Sequence, residues 1–315
     1  MLTIGIDIGG TKIAGAVVAS DGRIVEERRR ATPADDVDAV LEAIAGVIEE
    51  LAATHPARAV GVAAAGFLDA QRSRIVQAPN LAWRNEPLRE RLEQRVSLPI
   101  VLENDANAAG WAEYRFGAGR GVAHMTMLTI GTGIGGAIVI DGKLFRGGFG
   151  GGAEPGHTLF QPGGLPCGCG AVGCFEQYGS GSALLRMADE AADAAGPGSA
   201  LASARGSEPV LPASALIRLL EDRDPSALAV LERLGENIGR GCASLGAVLD
   251  PERFVIGGGV SVAGELLLEP IRRAYFAAAP AAEWRPRPDF RVAQFANDAG
   301  VIGAAELARA EAPPS

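Results

Sequence analysis

At 315 residues the chain exceeds the size at which one hydrophobic core usually keeps growing, so two domains are expected, and an apolar content of 48% is ample to pack them. A formal net charge of −9 argues against nucleic acid or an anionic membrane as the main partner, because both require a basic surface. Three of the four cysteines are clustered, which reads as metal binding in a reducing compartment rather than as an extracellular disulfide framework.

The chain opens directly on a strand, with no basic leader or cleavage site, and no apolar run approaches a membrane span; a soluble, cytoplasmic protein is expected. Residues 2–8 and 13–19 read as strands joined by Gly9-Gly10-Thr11, with a third strand at 24–30. Val40, Ile44, Val47, Ile48 and Leu51 recur at helical spacing and predict a helix over 36–53. A strand at 59–64 runs into Ala65-Gly66, and another at 99–102 ends at Glu103-Asn104-Asp105. A helix then starts at Ala106, with Asn104 or Asp105 as its N-cap. Near Gly117–Gly121 the pattern restarts: strands at 124–130 and 135–140 flank Gly131-Thr132-Gly133. Both halves therefore open with a strand, a Gly/Thr turn and a second strand, a structural echo without obvious shared sequence. A cysteine-rich segment is followed by a helix at 181–194, a surface loop at 195–212 in which no chemistry is legible, and helices at 213–221 and 225–248. A strand at 253–256 enters Gly257-Gly258-Gly259; a helix at 265–278, a strand at 290–295 and a helix at 299–311 complete the order, and the last three residues are expected to fray.

The strongest chemical signal is His157 with Cys167, Cys169 and Cys174, the donor set and spacing of a closed zinc site. Three thiolates and one imidazole fill a tetrahedron and leave no position for water, so a structural zinc is expected. It would fix a loop carrying the carboxylates Glu154 and Glu176, suited to gripping hydroxyls, and leave the second imidazole nitrogen of His157 to meet a ligand. Cys242 stands alone in a helical stretch and reads as a small buried hydrophobe. Asp7-x-Gly9-Gly10-Thr11-Lys12 has the form of a phosphate-binding turn, since glycine lets backbone N–H groups approach phosphate oxygens and Asp7 can hold magnesium through water. An ordinary hairpin has the same form. The second turn, Gly131-Thr132-Gly133, makes a clamp on a nucleotide's phosphates the better reading of the pair. Gly257-Gly258-Gly259 is either a plain tight turn or a bare surface for a purine, ribose or phosphate. Asn104-Asp105 is either helix capping or a general base beside an amide that orients a hydroxyl.

In their order, Asp7-Ile8-Gly9-Gly10-Thr11-Lys12, Glu103-Asn104-Asp105-Ala106-Asn107-Ala108, Gly131-Thr132-Gly133-x-Gly135-Gly136, Glu154-x-Gly156-His157 and the C-x-C-G-x-x-G-C-x-E run at 167–176 resemble the ROK family of repressors, open reading frames and sugar kinases. The resemblance runs from residue 2 to about 310. It is strongest to the glucokinases of actinobacterial type, including Pro79-Asn80-Leu81-x-Trp83 and Gly257-Gly258-Gly259. Pro155 departs from the bulky apolar residue more usual there and should stiffen its turn.

The resemblance implies an α/β fold of the actin/Hsp70/hexokinase (ribonuclease H-like) type, with ATP and sugar in a cleft between two domains. Residues 1–117 would form the small domain, completed by the helix at about 299–312, and 118–298 the large one, with the zinc-binding segment 154–176 inserted. It implies an ATP-dependent glucokinase acting on the 6-hydroxyl, with Asp105 as base and Asn104, Glu154, His157 and Glu176 on the sugar. Asp7, Gly9, Gly10, Thr11 and Lys12 with Gly131, Thr132 and Gly133 would bracket the phosphates of ATP and its Mg2+, and Gly257, Gly258 and Gly259 would lie near adenosine. His157, Cys167, Cys169 and Cys174 would hold structural Zn2+, and the assembly would be a homodimer or homotetramer. The same frame serves kinases for N-acetylmannosamine or fructose, and a sugar sensor without catalysis is the alternative from another class. A polyphosphate donor is disfavoured by the absence of a lysine-rich channel. Only six residues precede Asp7, which leaves no room for the helix-turn-helix of the repressor branch.

Overall fold

The computed structural model describes residues 1–78 and 81–312; Pro79 and Asn80 of the resemblance motif, and the three terminal residues expected to fray, lie outside the described residues. Three antiparallel strands, β1 (Leu2–Ile8), β2 (Lys12–Val18) and β3 (Ile24–Ala31), are followed by α1 (Val37–Thr54) and β4 (Ala57–Ala64). Asp36 starts α1 by accepting the backbone N–H groups of Asp38 and Ala39 on its carboxylate. A small meander, β5 (Phe67–Leu68), β6 (Ile75–Gln77) and β7 (Arg84–Glu86), then leads through α2 (Leu88–Glu93) to β8 (Ile100–Asn104) and α3 (Asp105–Phe116). The meander and α2 are absent from the sequence reading because strands of two or three residues carry no period to detect.

The first sheet has the order β3-β2-β1-β4-β8, with β4 parallel to β1 and β8 parallel to β4. β1 and β2 are nearly continuous apolar runs because both of their faces are covered. On one face α1 buries Ile44, Ile48 and Leu51 with Ile4, Ile6 and Val62. On the other, α3 and the C-terminal helix bury Ala112, Val301 and Ile302 with Ala14, Ala16 and Val18.

The second half repeats the plan. β9 (Met125–Ile130), β10 (Ile134–Ile140) and β11 (Lys143–Leu144) precede a long excursion through a 3-10 turn (Pro155–His157), α4 (Glu176–Gly179), α5 (Gly181–Ala195), α6 (Ala200–Arg205), α7 (Ala213–Glu221) and α8 (Pro225–Leu249). β12 (Arg253–Gly257), α9 (Glu265–Ala278), β13 (Asp289–Val292) and α10 (Ala299–Glu311) close the chain. The second sheet has the order β11-β10-β9-β12-β13, so each sheet is built third-second-first-fourth-fifth in order of its own strands. As in the first sheet, the second and third strands are antiparallel and the last two parallel. This is the ribonuclease H-like order, twice. The echo between the two halves is therefore topological, as their turn patterns suggested.

Two compact units result: residues 1–127, 136–153 and 294–315 form the first, and residues 128–135 and 154–293 the second. In the first, Glu113 of α3 is fully buried and accepts N–H groups from Ala118 (2.8 Å), Gln294 (2.7 Å) and Phe295 (2.8 Å), tying the end of α3 to the approach to α10. In the second, Phe175, Ile238, Phe254, Leu267 and Ile271 share one core. Three expectations are corrected. The helix expected from Ala106 begins at Asp105, with Asn104 as its cap. The strand expected at 290–295 ends at Val292. The supposed loop at 195–212 contains α6 and buries Leu201 and Leu211, whose apolar spacing is hidden among small residues.

Candidate active site

In the first unit the parallel registers bring the sequence-predicted residues to one end of the sheet. Ile8 lies opposite Ala64, and Ala64 opposite Asn104, so Asp7 and the Asn104-Asp105 junction occupy neighbouring rows at the carboxyl ends of β1 and β8. Open α/β sheets bind ligands at such ends. The Gly9-Gly10-Thr11 turn is closed by Gly9 N–H donating to the Lys12 carbonyl (3.0 Å) and by Thr32 N–H donating to the Thr11 carbonyl (3.1 Å). The Thr32 hydroxyl adds a third tie by donating to the Gly9 carbonyl (2.8 Å). Thr32 escaped the sequence reading, since nothing local marks a threonine just past β3.

Asn104 serves as cap and more. Its side-chain oxygen accepts the Asn107 N–H (3.0 Å) while its amide donates to the Gly66 carbonyl (3.2 Å), which leaves the second amide hydrogen for a ligand. Asp105 is the first residue of α3; burial pushes its carboxyl up, opposed by the backbone N–H groups of Asp105 and Ala106. Burial also pushes Asp7 up to about 6, helped by the charge of Asp105 and opposed by Lys12. Asp7 thus binds a proton more tightly in the folded chain than in the unfolded one. Its contribution to stability is full below its ordinary value of 3.8 and is lost as pH rises through about 6. At pH 7.5 the ionised group costs the unliganded protein on the order of 3 kcal/mol. Asp7→Asn is therefore expected to raise the melting temperature at pH 7.5, with a smaller gain at pH 5. Calorimetric scans at the two values check this, and an equal or absent gain would refute it.

In the second unit, Gly131-Thr132-Gly133 is framed by the helix that follows the cysteine segment: Gly181 N–H, in the first turn of α5, donates to the Gly131 carbonyl (2.7 Å). Glu176 packs over the same turn, with a carboxylate oxygen 2.5 Å from where a Cβ on Gly133 would stand and accepting Ile134 N–H at 3.4 Å. A side chain at 133 would push the end of Glu176 aside. Glu154 leads into the Pro155–His157 turn, where His157 N–H donates to the Glu154 carbonyl (3.2 Å). Gly156 is pressed against the Ile134 carbonyl with no room for a side chain, which seats this turn beside the phosphate turn. An apolar cavity of about 720 Å³ extends from Gly131, Thr132 and Gly259 between Leu184, Leu216, Leu220 and Val260. The sequence reading missed the α7 wall of this cavity, because an amphipathic helix looks the same whether its stripe meets a core or a ligand.

The ligating atoms of His157, Cys167, Cys169 and Cys174 all lie within 4.8 Å of one another. Cys167 Sγ is 3.7 Å from His157 Nδ1, and Cys169 Sγ is 3.6 Å from Cys174 Sγ. Tetrahedral zinc with sulfur at about 2.3 Å has ligand–ligand edges of roughly 3.8 Å, so the cluster fits the ion. Burial pushes the Cys167 thiol up to about 12 and raises Cys174 too, while the Ala171 N–H lowers Cys169. A dication would convert all three to thiolates.

The sequence model of the ROK family matches residues 3–311. The chain belongs to the ROK family. It is 45% identical to a glucokinase of Streptomyces coelicolor, over 99% of each chain. An N-acetylmannosamine kinase of Escherichia fergusonii is 35% identical, again over 99% of both. Among solved structures, a ROK glucokinase from Streptomyces griseus, in complex with glucose and AMPPNP, superposes with a TM-score of 0.86 at 45% identity, over 98% of this chain and 100% of that one. The ROK fold is actin/Hsp70/hexokinase-like, as the doubled sheet order indicates. Within this ROK chain, Asp7, Gly9, Gly10, Thr11, Lys12, Asn104 and Asp105 belong to the first unit. Gly131, Thr132, Gly133, Glu154, His157, Glu176, the three clustered cysteines and Gly257, Gly258 and Gly259 belong to the second. Cys242 is fully buried in α8, where burial raises its thiol strongly. No helix among the described residues is long and apolar enough to cross a membrane.

Proposed function

We propose that this protein is an ATP-dependent glucokinase that transfers the γ-phosphoryl group to the 6-hydroxyl of glucose. The observation that carries the reading is a carboxylate at the head of α3, Asp105, raised by burial and adjoining an amide with a hydrogen to spare, on the sheet end that also carries a glycine phosphate turn. Similarity to the Streptomyces glucokinases supports glucose over other hexoses.

Asp105 accepts the proton of the 6-hydroxyl as that oxygen attacks in line, and its raised affinity for protons makes it the stronger base. Asn104 donates its remaining amide hydrogen to the sugar. Glu154 and Glu176 accept hydrogen bonds from sugar hydroxyls, and the Nε2 of His157 adds a further polar contact. A sugar lacking one of these hydroxyls would leave a buried polar group unpaired, which is how such a site discriminates. Backbone N–H groups of the Gly9–Thr11 and Gly131–Gly133 turns bind the phosphates of ATP, and the adenosine end enters the apolar cavity beside Gly257–Gly259. Asp7 would hold magnesium through water, and the ion would neutralise phosphate charge. Zinc on His157, Cys167, Cys169 and Cys174 would be structural, tying down the loop between Glu154 and Glu176. For function, the boundary between the two domains lies near residues 117 and 118, and the active enzyme is a cytoplasmic homodimer or homotetramer.

The test is a coupled ADP-release assay with magnesium-ATP across glucose, mannose, fructose, N-acetylglucosamine and N-acetylmannosamine. A strong preference for glucose is expected. Preference for N-acetylmannosamine would move the substrate while keeping the base, and glucose binding without turnover would sink the kinase reading.

A further inference from the structure

The proposed mechanism leaves the buried carboxylate of Glu103 without a task. Glu103, at the end of β8 and next to Asn104, is only 3% exposed, yet every face of its carboxylate is used. One oxygen accepts the backbone N–H of Asn104 (3.0 Å) and the side-chain amide of Asn107 (3.0 Å). The other accepts Arg146 through Nε at 2.7 Å, with a second guanidinium, Arg72, at 3.5 Å. The same two arginines meet Glu311, the last residue of α10, at 3.3 Å from Arg146 and 2.5 Å from Arg72. Arg146 also forms the base of a glycine loop, since its carbonyl accepts Gly152 N–H at 2.9 Å. The whole network lies within the first unit.

We infer that Glu103 and Arg146 form a positioning pair that sets where the Asp105 carboxylate stands. The inference rests on the proposed role of Asp105 as base. Asn104 has side-chain ties of its own, to Asn107 and Gly66. Asp105 follows the Asn104 cap as the first residue of α3, so the place of its carboxylate follows the backbone at the head of that helix. Glu103 grips that backbone on both sides, at Asn104 N–H and through Asn107 one turn along. Arg146 and Arg72 in turn fix Glu103, and Glu311 neutralises the second positive charge. Only an acceptor-only group can do this, because donors approach both oxygens. A glutamine there must turn its NH2 either toward the arginines or toward Asn104 and Asn107.

The pair touches no reacting atom, so its loss should appear in the chemical step. A displacement of about 1 Å at a catalytic group costs on the order of a hundredfold in rate. Glu103→Gln and Arg146→Met are each expected to lower kcat with glucose by about tenfold to a hundredfold, with the KM for ATP within about twofold of the parent. Arg146→Lys, which keeps a cation on Glu103, should recover part of the loss. Melting curves and active-site titration confine the comparison to folded enzyme, and Asp105→Ala is assayed alongside. If kcat per folded site stays within about twofold in both variants while Asp105→Ala is inactive, the positioning role is overturned and the base stands. If Asp105→Ala turns over normally, both are overturned.

Discussion

Asp105→Ala is expected to reduce kcat for glucose phosphorylation by about 10²–10⁴-fold while glucose still binds, because general-base catalysis is worth that much and the sugar's other contacts remain. The geometry makes this a clean deletion. Asn104 caps α3, so removing the Asp105 side chain does not remove the cap. Asp105 is also a burdened residue in the unliganded protein: burial raises its carboxyl, and its charge raises that of Asp7. Truncation should therefore leave the melting temperature at pH 7.5 unchanged or slightly higher, while turnover collapses. Gain in stability with loss of rate is the pattern of a group kept for chemistry. Glucose binding is followed by intrinsic fluorescence or calorimetry and turnover by coupled ADP release. Near-normal kcat would remove Asp105 as the base.

The contrast between Asp105 and Glu103 marks how far the sequence could be read. The doubled strand-turn-strand opening, the glycine turns and the cysteine spacing are local patterns, and local patterns survive in one dimension. The capping and catalytic readings of Asn104-Asp105 could not be separated there. The structure gives the cap to Asn104, whose side-chain oxygen accepts the Asn107 N–H, and sets Asp105 behind it as the first residue of α3. Glu103 looked like the end of a strand. Its partners stand 31 and 43 residues away, and Arg72 and Glu311 are 239 apart, so no window of sequence contains the network. Thr32 and the α7 wall of the cavity were hidden for the same reason. Each acquires meaning from what folding sets beside it.

Cys169→Ser is expected to abolish stoichiometric zinc binding and to raise the KM for glucose by roughly tenfold to a hundredfold, the range over which disturbed metal surroundings usually cost function. Cys169 is the most informative of the three thiols to replace because it is exposed, whereas Cys167 and Cys174 are buried. An exposed cysteine-to-serine change away from any special feature moves stability by less than about 0.5 kcal/mol, so a large effect at this position points to the metal. The segment has some order of its own. Phe160 stacks on Phe175 at 5.5 Å, Leu165 N–H donates to the Tyr178 hydroxyl at 2.8 Å, and two isolated bridges join Leu159 to Cys174 and Pro166 to Val172. Loss of the ion should therefore loosen the loop without unfolding the unit, whose core is anchored elsewhere by α8 and α9. The damage should fall on His157, a member of the cluster, and on Glu176, whose carboxylate lies 3.0 Å from the Cys167 sulfur. Metal analysis, melting curves and glucose KM on the same preparation read all three consequences. A zinc-free variant with unchanged KM would separate the cysteine cluster from sugar recognition.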